Sequence, residues 1–114
     1  MPTIQPFPFG AFVIEASFLG DSAAFALGDG TVRLVAGVAA ESVKVHAGAI
    51  LSAVRTLDGK RLVTGGDDGL VAATDAAGTV ELLAERPKKW IDQLAAGPQG
   101  AIAYGVGREA IVRL

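Results

Sequence analysis

The residues of this chain that could do chemistry are concentrated in one short region. His46 is the only histidine among 114 residues, and it is followed by the hydroxyl of Thr64 and by two adjacent carboxylates, Asp67 and Asp68. With Ser52 as a second candidate hydroxyl, these side chains could supply the nucleophile, base and acid of a hydrolytic triad. Thr64, however, is β-branched and is predicted to lie in mid-strand rather than on the exposed turn that such a nucleophile occupies. We therefore predict a structural role for this group and no catalytic residues.

Metal and phosphate sites have little support in the sequence. With one histidine and no cysteine, the chain lacks the usual set of zinc ligands. The acidic, glycine-rich segment Gly65–Gly69 lacks the alternating oxygen ligands and the closing glutamate of a calcium loop. No glycine-rich run ends in the Gly-Lys-Ser/Thr of a phosphate-binding loop. We predict neither a metal nor another cofactor.

The overall charge excludes two classes of partner. Ten basic residues against twelve acidic ones give a net charge of −2, without the dense positive face of a nucleic-acid binder. Nor is there a basic amphipathic segment that would lie on an anionic membrane. The first ten residues lack the charged start and long apolar core of a signal peptide, and the chain has no cysteine. We expect a cytoplasmic protein that binds neither nucleic acid nor membrane.

A threefold internal repeat positions these residues. Val13, Ile50 and Ile91 open three similar segments, each with a turn pair, an apolar strand and a second turn rich in glycine or acid. Equivalent turns recur roughly every 40 residues, the period of a repeat protein built from small β-sheets. Asp-Gly pairs such as Asp58-Gly59 and Asp68-Gly69 are typical of tight hairpins, because glycine accepts a positive φ. The repeats are expected at about 11–36, 46–84 and 88–114, with four strands between 50 and 84.

The segment 86–96 also fits a helix. Trp90, Ile91 and Leu94 would share one helical face. Because Ile91 takes the same place in the repeat as Val13 and Ile50, the alignment favours a strand here.

The middle repeat resembles the WD-repeat family of β-propellers. Its key residues come in the family's order, although valine replaces the glycine before the histidine and Thr74 stands at the closing tryptophan: Val45-His46, Asp58-Gly59, Leu62-Val63-Thr64-Gly65, Asp68-Gly69 and Thr74-Asp75. The resemblance implies an all-β fold of four-stranded antiparallel meanders, the propeller blades, with about two and a half to three blades from a seven-bladed ring. It also implies that His46, Thr64 and Asp68 form a hydrogen-bonded chain within one blade, which Thr74 could end only weakly.

The outer repeats depart further from the family's pattern. The first has Val35 at the tryptophan position and no histidine, whereas the third has Pro87 at the histidine position and Glu109 at the turn-acid position. The expected hydrogen-bonded chain is therefore confined to the middle repeat.

The chain holds fewer blades than a complete propeller, so we expect residues 1–114 to form a single partial propeller domain. An open blade flank invites association. The resemblance implies that the remaining blades come from a complementary chain or from further copies of this one.

The residues expected to meet a protein or peptide partner lie at the rim of the blades. They are Lys88, Lys89 and Trp90, which enter the third repeat, and Asp67 and Arg108, which lie beside turn-acid positions. A tryptophan among cations is typical of an interface hot spot, although Trp90 could equally pack between blades. The resemblance implies a non-catalytic scaffold for protein–protein interaction. Two alternatives stay open: an enzyme or small-ligand receptor whose central-channel site is completed by other blades, and a self-assembling propeller fragment.

Overall fold

The computed structural model describes residues 3–114, which form an all-β structure. Within this range, eleven strands and one short 3-10 helix at Pro98–Gly100 make up the regular elements, without an α-helix. No helix of the described part is long and apolar enough to cross a membrane. The predicted all-β class is thus confirmed. The predicted domain of residues 1–114 includes Met1 and Pro2, which lie outside the described residues.

The strands form three antiparallel sheets, in each of which strands adjacent in sequence pair with one another. The first sheet contains β1 (Val13–Leu19), β2 (Ser22–Leu27), β3 (Thr31–Ala36) and β4 (Ala39–Lys44). The second contains β5 (Ile50–Arg55), β6 (Arg61–Gly66), β7 (Leu70–Asp75) and β8 (Val80–Glu85). The third contains β9 (Ile91–Ala96), β10 (Ile102–Val106) and β11 (Glu109–Arg113).

The four strands predicted between 50 and 84 are confirmed, and the segment 86–96 contains a strand rather than a helix. The first sheet, however, continues past the expected end of its repeat at residue 36, because β4 adds a fourth strand up to Lys44.

The internal repeat extends to the pairing of the strands. The opening residues of the three sheets pair with Leu27, Gly66 and Val106, and each sheet has a register shift at this end of the pair. Two residues after each opening residue, Glu15, Ser52 and Gln93 pair with Ala26, Gly65 and Gly105. The same β-bulge therefore bends the first strand of every sheet at the same position.

The core lies between the sheets, which pack face to face. One buried cluster joins Ala26 and Val32 of the first sheet to Ile50 and Leu62 of the second. A second cluster joins the opposite face of the second sheet, including Val63, to the third sheet. Because side chains alternate between the two faces of a sheet, the second sheet buries both faces and the outer sheets bury one each. The three sheets do not close into a ring within residues 3–114.

An aromatic segment before β1 covers part of the outer face of the first sheet. The ring of Phe9 lies 5.6 Å from that of Phe25 and 6.1 Å from that of Phe7. The Arg33 guanidinium lies 5.0 Å from the centre of the Phe9 ring, within the range of a cation–π contact. This covering was not predicted from the sequence.

Candidate functional site

His46 lies in the five-residue connection between β4 and β5, residues 45–49, called here the first linker. Its Nδ1 atom is 2.9 Å from an Asp68 carboxylate oxygen, and its Nε2 atom is 2.7 Å from the Thr64 hydroxyl. Thr64 lies in the middle of β6, and Asp68 lies in the turn between β6 and β7. The structure therefore brings together all three residues expected to form a hydrogen-bonded chain.

The charge of Asp68 determines how the hydrogens of this chain are arranged. Burial raises the pKa of Asp68, but hydrogen bonds from the His46 ring and from the backbone N–H groups of Leu70 and Ala47 outweigh it, so that the pKa lies below its usual value. An ionised carboxylate only accepts hydrogen bonds, so His46 Nδ1 carries a hydrogen and donates it. In the neutral ring, Nε2 then accepts a hydrogen bond from the Thr64 hydroxyl.

The order hydroxyl, imidazole, carboxylate matches that of a hydrolytic triad, but here the hydroxyl and the imidazole are buried and cannot contact a substrate. Thr64 is 0 % exposed and His46 is 1 % exposed. The second candidate hydroxyl, on Ser52, donates instead to the Ile91 carbonyl oxygen at 2.9 Å. The arrangement fastens the first linker to β6 and to the β6–β7 turn.

Thr74 does not extend this chain. It lies on β7, paired with Leu62 of β6, and is completely buried. Its hydroxyl has no hydrogen-bond partner among the described residues. The hydrogen-bonded chain therefore ends at Thr64. The hydroxyl of Thr74 is buried without a partner, at the position where the WD-repeat pattern has tryptophan.

Asp67 is bound to the first linker rather than to the cations with which it was grouped. Its carboxylate accepts a hydrogen bond from the Ala49 backbone N–H at 3.0 Å, and its own N–H donates to the Ala49 carbonyl at 3.0 Å. A Cβ atom built on Gly48 would lie 2.1 Å from the Asp67 carboxylate, so a larger residue there would displace that side chain from its contact with Ala49. The contribution of Ala47, Gly48 and Ala49 had no sequence signal, because it comes from the backbone.

The connection between β8 and β9, residues 86–90, is called here the second linker. The Lys89 N–H donates to the Arg86 carbonyl at 3.1 Å, which closes a tight turn with Pro87 and Lys88 in its centre. Lys88 has a φ of 64°, in the left-handed region. Proline followed by a residue of positive φ is the pattern of a type II turn, whose second central position favours glycine.

Four side chains of the second linker and of the β10–β11 turn face solvent. Lys88, Lys89 and Arg108 are exposed, and Trp90 is 65 % exposed. Ion pairs and side-chain hydrogen bonds within residues 3–114 leave these three cations without a partner. The structure therefore does not pack Trp90 between the sheets.

Arg108 lies at the same end of the third sheet as Trp90. Val106 pairs with Ile91 on one side and with Glu109 on the other, so Trp90 and Arg108 each lie one residue before its two partners. Two strand spacings, about 10 Å, separate them. We call Lys88, Lys89, Trp90 and Arg108 the basic surface.

An ion pair that was not predicted supports this surface. The Arg86 guanidinium contacts the Glu109 carboxylate at 2.6 Å and links the second linker to the start of β11. Pro87 and Glu109, which take the histidine and turn-acid positions of the third repeat, thus form no buried polar chain.

No group of three or more histidine or acidic side chains that could hold a metal ion occurs in the described part of the chain. No known family model matches this sequence, and no curated protein matches it.

Proposed function

We propose that the three sheets are consecutive blades of a WD-type β-propeller and that the chain is a non-catalytic scaffold. In this proposal the basic surface binds an acidic segment of a partner protein. The sequential antiparallel sheets, their face-to-face packing and the repeated bulge support the propeller assignment.

The burial of the one histidine supports a non-catalytic role. A general base has to come within hydrogen-bond reach of a substrate proton. Both ring nitrogens of His46 are already engaged, by Thr64 and Asp68, and the ring is buried. These hydrogen bonds alone account for the grouping of His46, Thr64 and Asp68, so a catalytic role is not needed to explain it.

The observation that carries the binding proposal is the backbone of Lys88. An exposed turn with a φ of 64° would be formed more easily by glycine, and a lysine there costs about 1 kcal/mol. Residues held in such a backbone conformation are found more often at functional sites. The left-handed backbone at Lys88 places its cation next to Lys89 and the exposed Trp90.

The chemistry of the basic surface indicates the partner. Three unpaired cations around an aromatic ring complement carboxylates, and opposite charges across an interface increase the association rate and the specificity. Trp90 supplies the apolar area that anchors such contacts. An acidic segment that carries at least one apolar side chain satisfies both requirements.

Trp90 provides the measurement, because it is the only tryptophan in the chain. The probe is a peptide in which glutamate and leucine alternate, and the control peptide has lysine in place of glutamate. We expect saturable quenching of Trp90 fluorescence by the acidic peptide only, weakened by added salt. The double variant Lys88→Glu/Lys89→Glu should raise the dissociation constant at least about tenfold.

The matched control variant is Lys60→Glu, which reverses an exposed lysine in the β5–β6 turn, at the other end of the sheets. It should leave the affinity unchanged. Absence of saturable quenching by the acidic peptide, or an equal loss in Lys60→Glu, would show that the basic surface is not the binding site.

A further inference from the structure

The outer face of the third sheet carries an open socket at Gly105. Ala26, Gly65 and Gly105 occupy the same register position in their sheets, opposite the second residue after the opening residue of the first strand. Each is small, so the backbone there can be approached closely by a side chain of another sheet.

The first two sockets are filled by the opening residue of the next sheet. Ile50 belongs to the same buried cluster as Ala26. Ile91 packs so closely on Gly65 that a Cβ atom there would lie 2.6 Å from Ile91 Cγ2 and 2.7 Å from the Ile91 carbonyl oxygen. In both interfaces a β-branched residue sits on a small one.

The third socket has no such occupant among the described residues. A Cβ atom on Gly105 would meet only the Gln93 side chain of its own sheet, at 3.4 Å. The surrounding face is apolar and is formed by Ala95, Ala103, Ala110 and the 65 % exposed Val112.

The chain itself contains the matching occupant. Val13 opens β1 at the register position of Ile50 and Ile91, is β-branched and is 52 % exposed. The aromatic segment before β1 contacts Phe25 on β2, further from the opening of the sheet, and leaves Val13 uncovered.

A hydrogen-bond donor is also in place. The Ser52 hydroxyl donates to the Ile91 carbonyl across the second and third sheets. Gln93 occupies the position of Ser52 in the third sheet and is exposed. Its amide can donate to the Val13 carbonyl of another molecule in the same way.

We infer that copies of this chain associate head to tail, with Val13 of one molecule seated on Gly105 of the next. The new interface repeats the two internal ones, so it joins two different faces rather than one face to itself. Such an interface closes into a ring or continues as a filament. The inference rests on the blade packing of the proposed function but not on its basic surface, which stays free.

Mass in solution tests this inference, by light scattering and sedimentation equilibrium of the full chain. At about 0.1 mM, where even weak contacts are populated, we expect an integer multiple of 11.6 kDa. Val13→Asp and Gly105→Ile should each raise the dissociation constant at least about tenfold, because one introduces a charge and the other fills the socket. Val38→Asp is the matched control, since Val38 is 82 % exposed in the β3–β4 turn, and it should associate as the parent chain does.

Mixing the two defective variants distinguishes head-to-tail association from other arrangements. The Val13→Asp chain keeps an intact third sheet, and the Gly105→Ile chain keeps an intact first sheet. A one-to-one mixture should therefore regain a complex of two chains with the affinity of the parent chain, whereas each variant alone associates at least about tenfold more weakly. Circular dichroism of each variant verifies that it is folded. A monomeric parent chain, or a mixture that does not recombine, would overturn the inference, while peptide binding at the basic surface would be unaffected.

Discussion

The first and second linkers make the same connection between neighbouring sheets by different means. The first linker is fixed by a buried polar contact to Thr64 and by half-buried ones to Asp67 and Asp68. The second linker is held by a proline-containing turn, by a backbone hydrogen bond from the Arg86 N–H to the Gly69 carbonyl at 2.8 Å and by one exposed ion pair, between Arg86 and Glu109. In the first linker, the polar side chain of His46 is engaged in hydrogen bonds within the protein. In the second linker, the side chains of Lys88, Lys89 and Trp90 face solvent and are available to a partner.

The two linkers also differ in what their side chains contribute to stability. Buried hydrogen bonds to a charged group contribute about 1.5–3 kcal/mol each, and an exposed ion pair contributes about 0–1 kcal/mol. We therefore expect substitutions in the first linker to change the free energy of unfolding, and substitutions in the second to change binding.

Removal of the His46 ring should have the largest effect. In His46→Ala the Asp68 carboxylate and the Thr64 hydroxyl lose a partner in a buried setting, and a cavity remains. We expect the free energy of unfolding to fall by about 3 kcal/mol, measured by urea denaturation.

Trp90→Ala is the control for His46→Ala, since it removes a larger ring from the second linker, where it is exposed. Its free energy of unfolding should change by no more than about 0.5 kcal/mol. Equal losses in the two variants would contradict the contrast between the linkers.

The loss of stability at low pH should be smaller than the effect of His46→Ala, and its sign follows from the pKa of Asp68, which contacts the first linker. The pKa of Asp68 is lower in the folded chain than its usual value of 3.8, so the unfolded chain binds the proton more readily. The stability that this carboxylate contributes is present at neutral pH and is lost as the pH falls below about 4, through the folded-state pKa.

Urea unfolding at pH 6 and pH 3 measures this contribution. In Asp68→Asn, the free energy of unfolding should fall less between the two pH values than in the parent chain. Some acid sensitivity remains, because the hydroxyls of Thr31 and Thr56 lower the pKa values of Asp29 and Asp58. An unchanged loss in Asp68→Asn would mean that the carboxylate is not an ionised acceptor for His46.

The first linker was easier to predict from the sequence than the second. His46, Thr64 and Asp68 are recognisable because each has a side chain that fits one role in a known order. The contacts of Gly48 and Ala49 could not be predicted, since any residue type carries the same backbone groups. Nor could the exposure of Trp90, because its ring suits a sheet interface and a binding surface equally well.

Elsewhere the sequence signal was too weak or had no defined partner. Strand β4 begins with Ala39-Ala40-Glu41, residues of low β propensity, and forms because β3 offers it a free edge. The aromatic segment before β1 alternates proline and phenylalanine at 6–9, and proline cannot donate the hydrogen bonds of a strand. Its position depends on the Phe25 ring and Arg33, which no local pattern identifies as its contacts.

The smallest effect on stability is expected at Lys88, where it has the opposite sign. Lys88→Gly relieves the left-handed backbone, with its φ of 64°, but adds conformational freedom to the unfolded chain. We expect the free energy of unfolding to rise by about 0.5 kcal/mol, while the acidic peptide binds several-fold more weakly because one cation is lost. Lys89→Gly, at the next position and outside the left-handed region, should weaken binding similarly without the gain in stability. A stabilised Lys88→Gly chain with unchanged affinity would show that the strained lysine does not serve the binding surface, since its cost would then have no counterpart in binding.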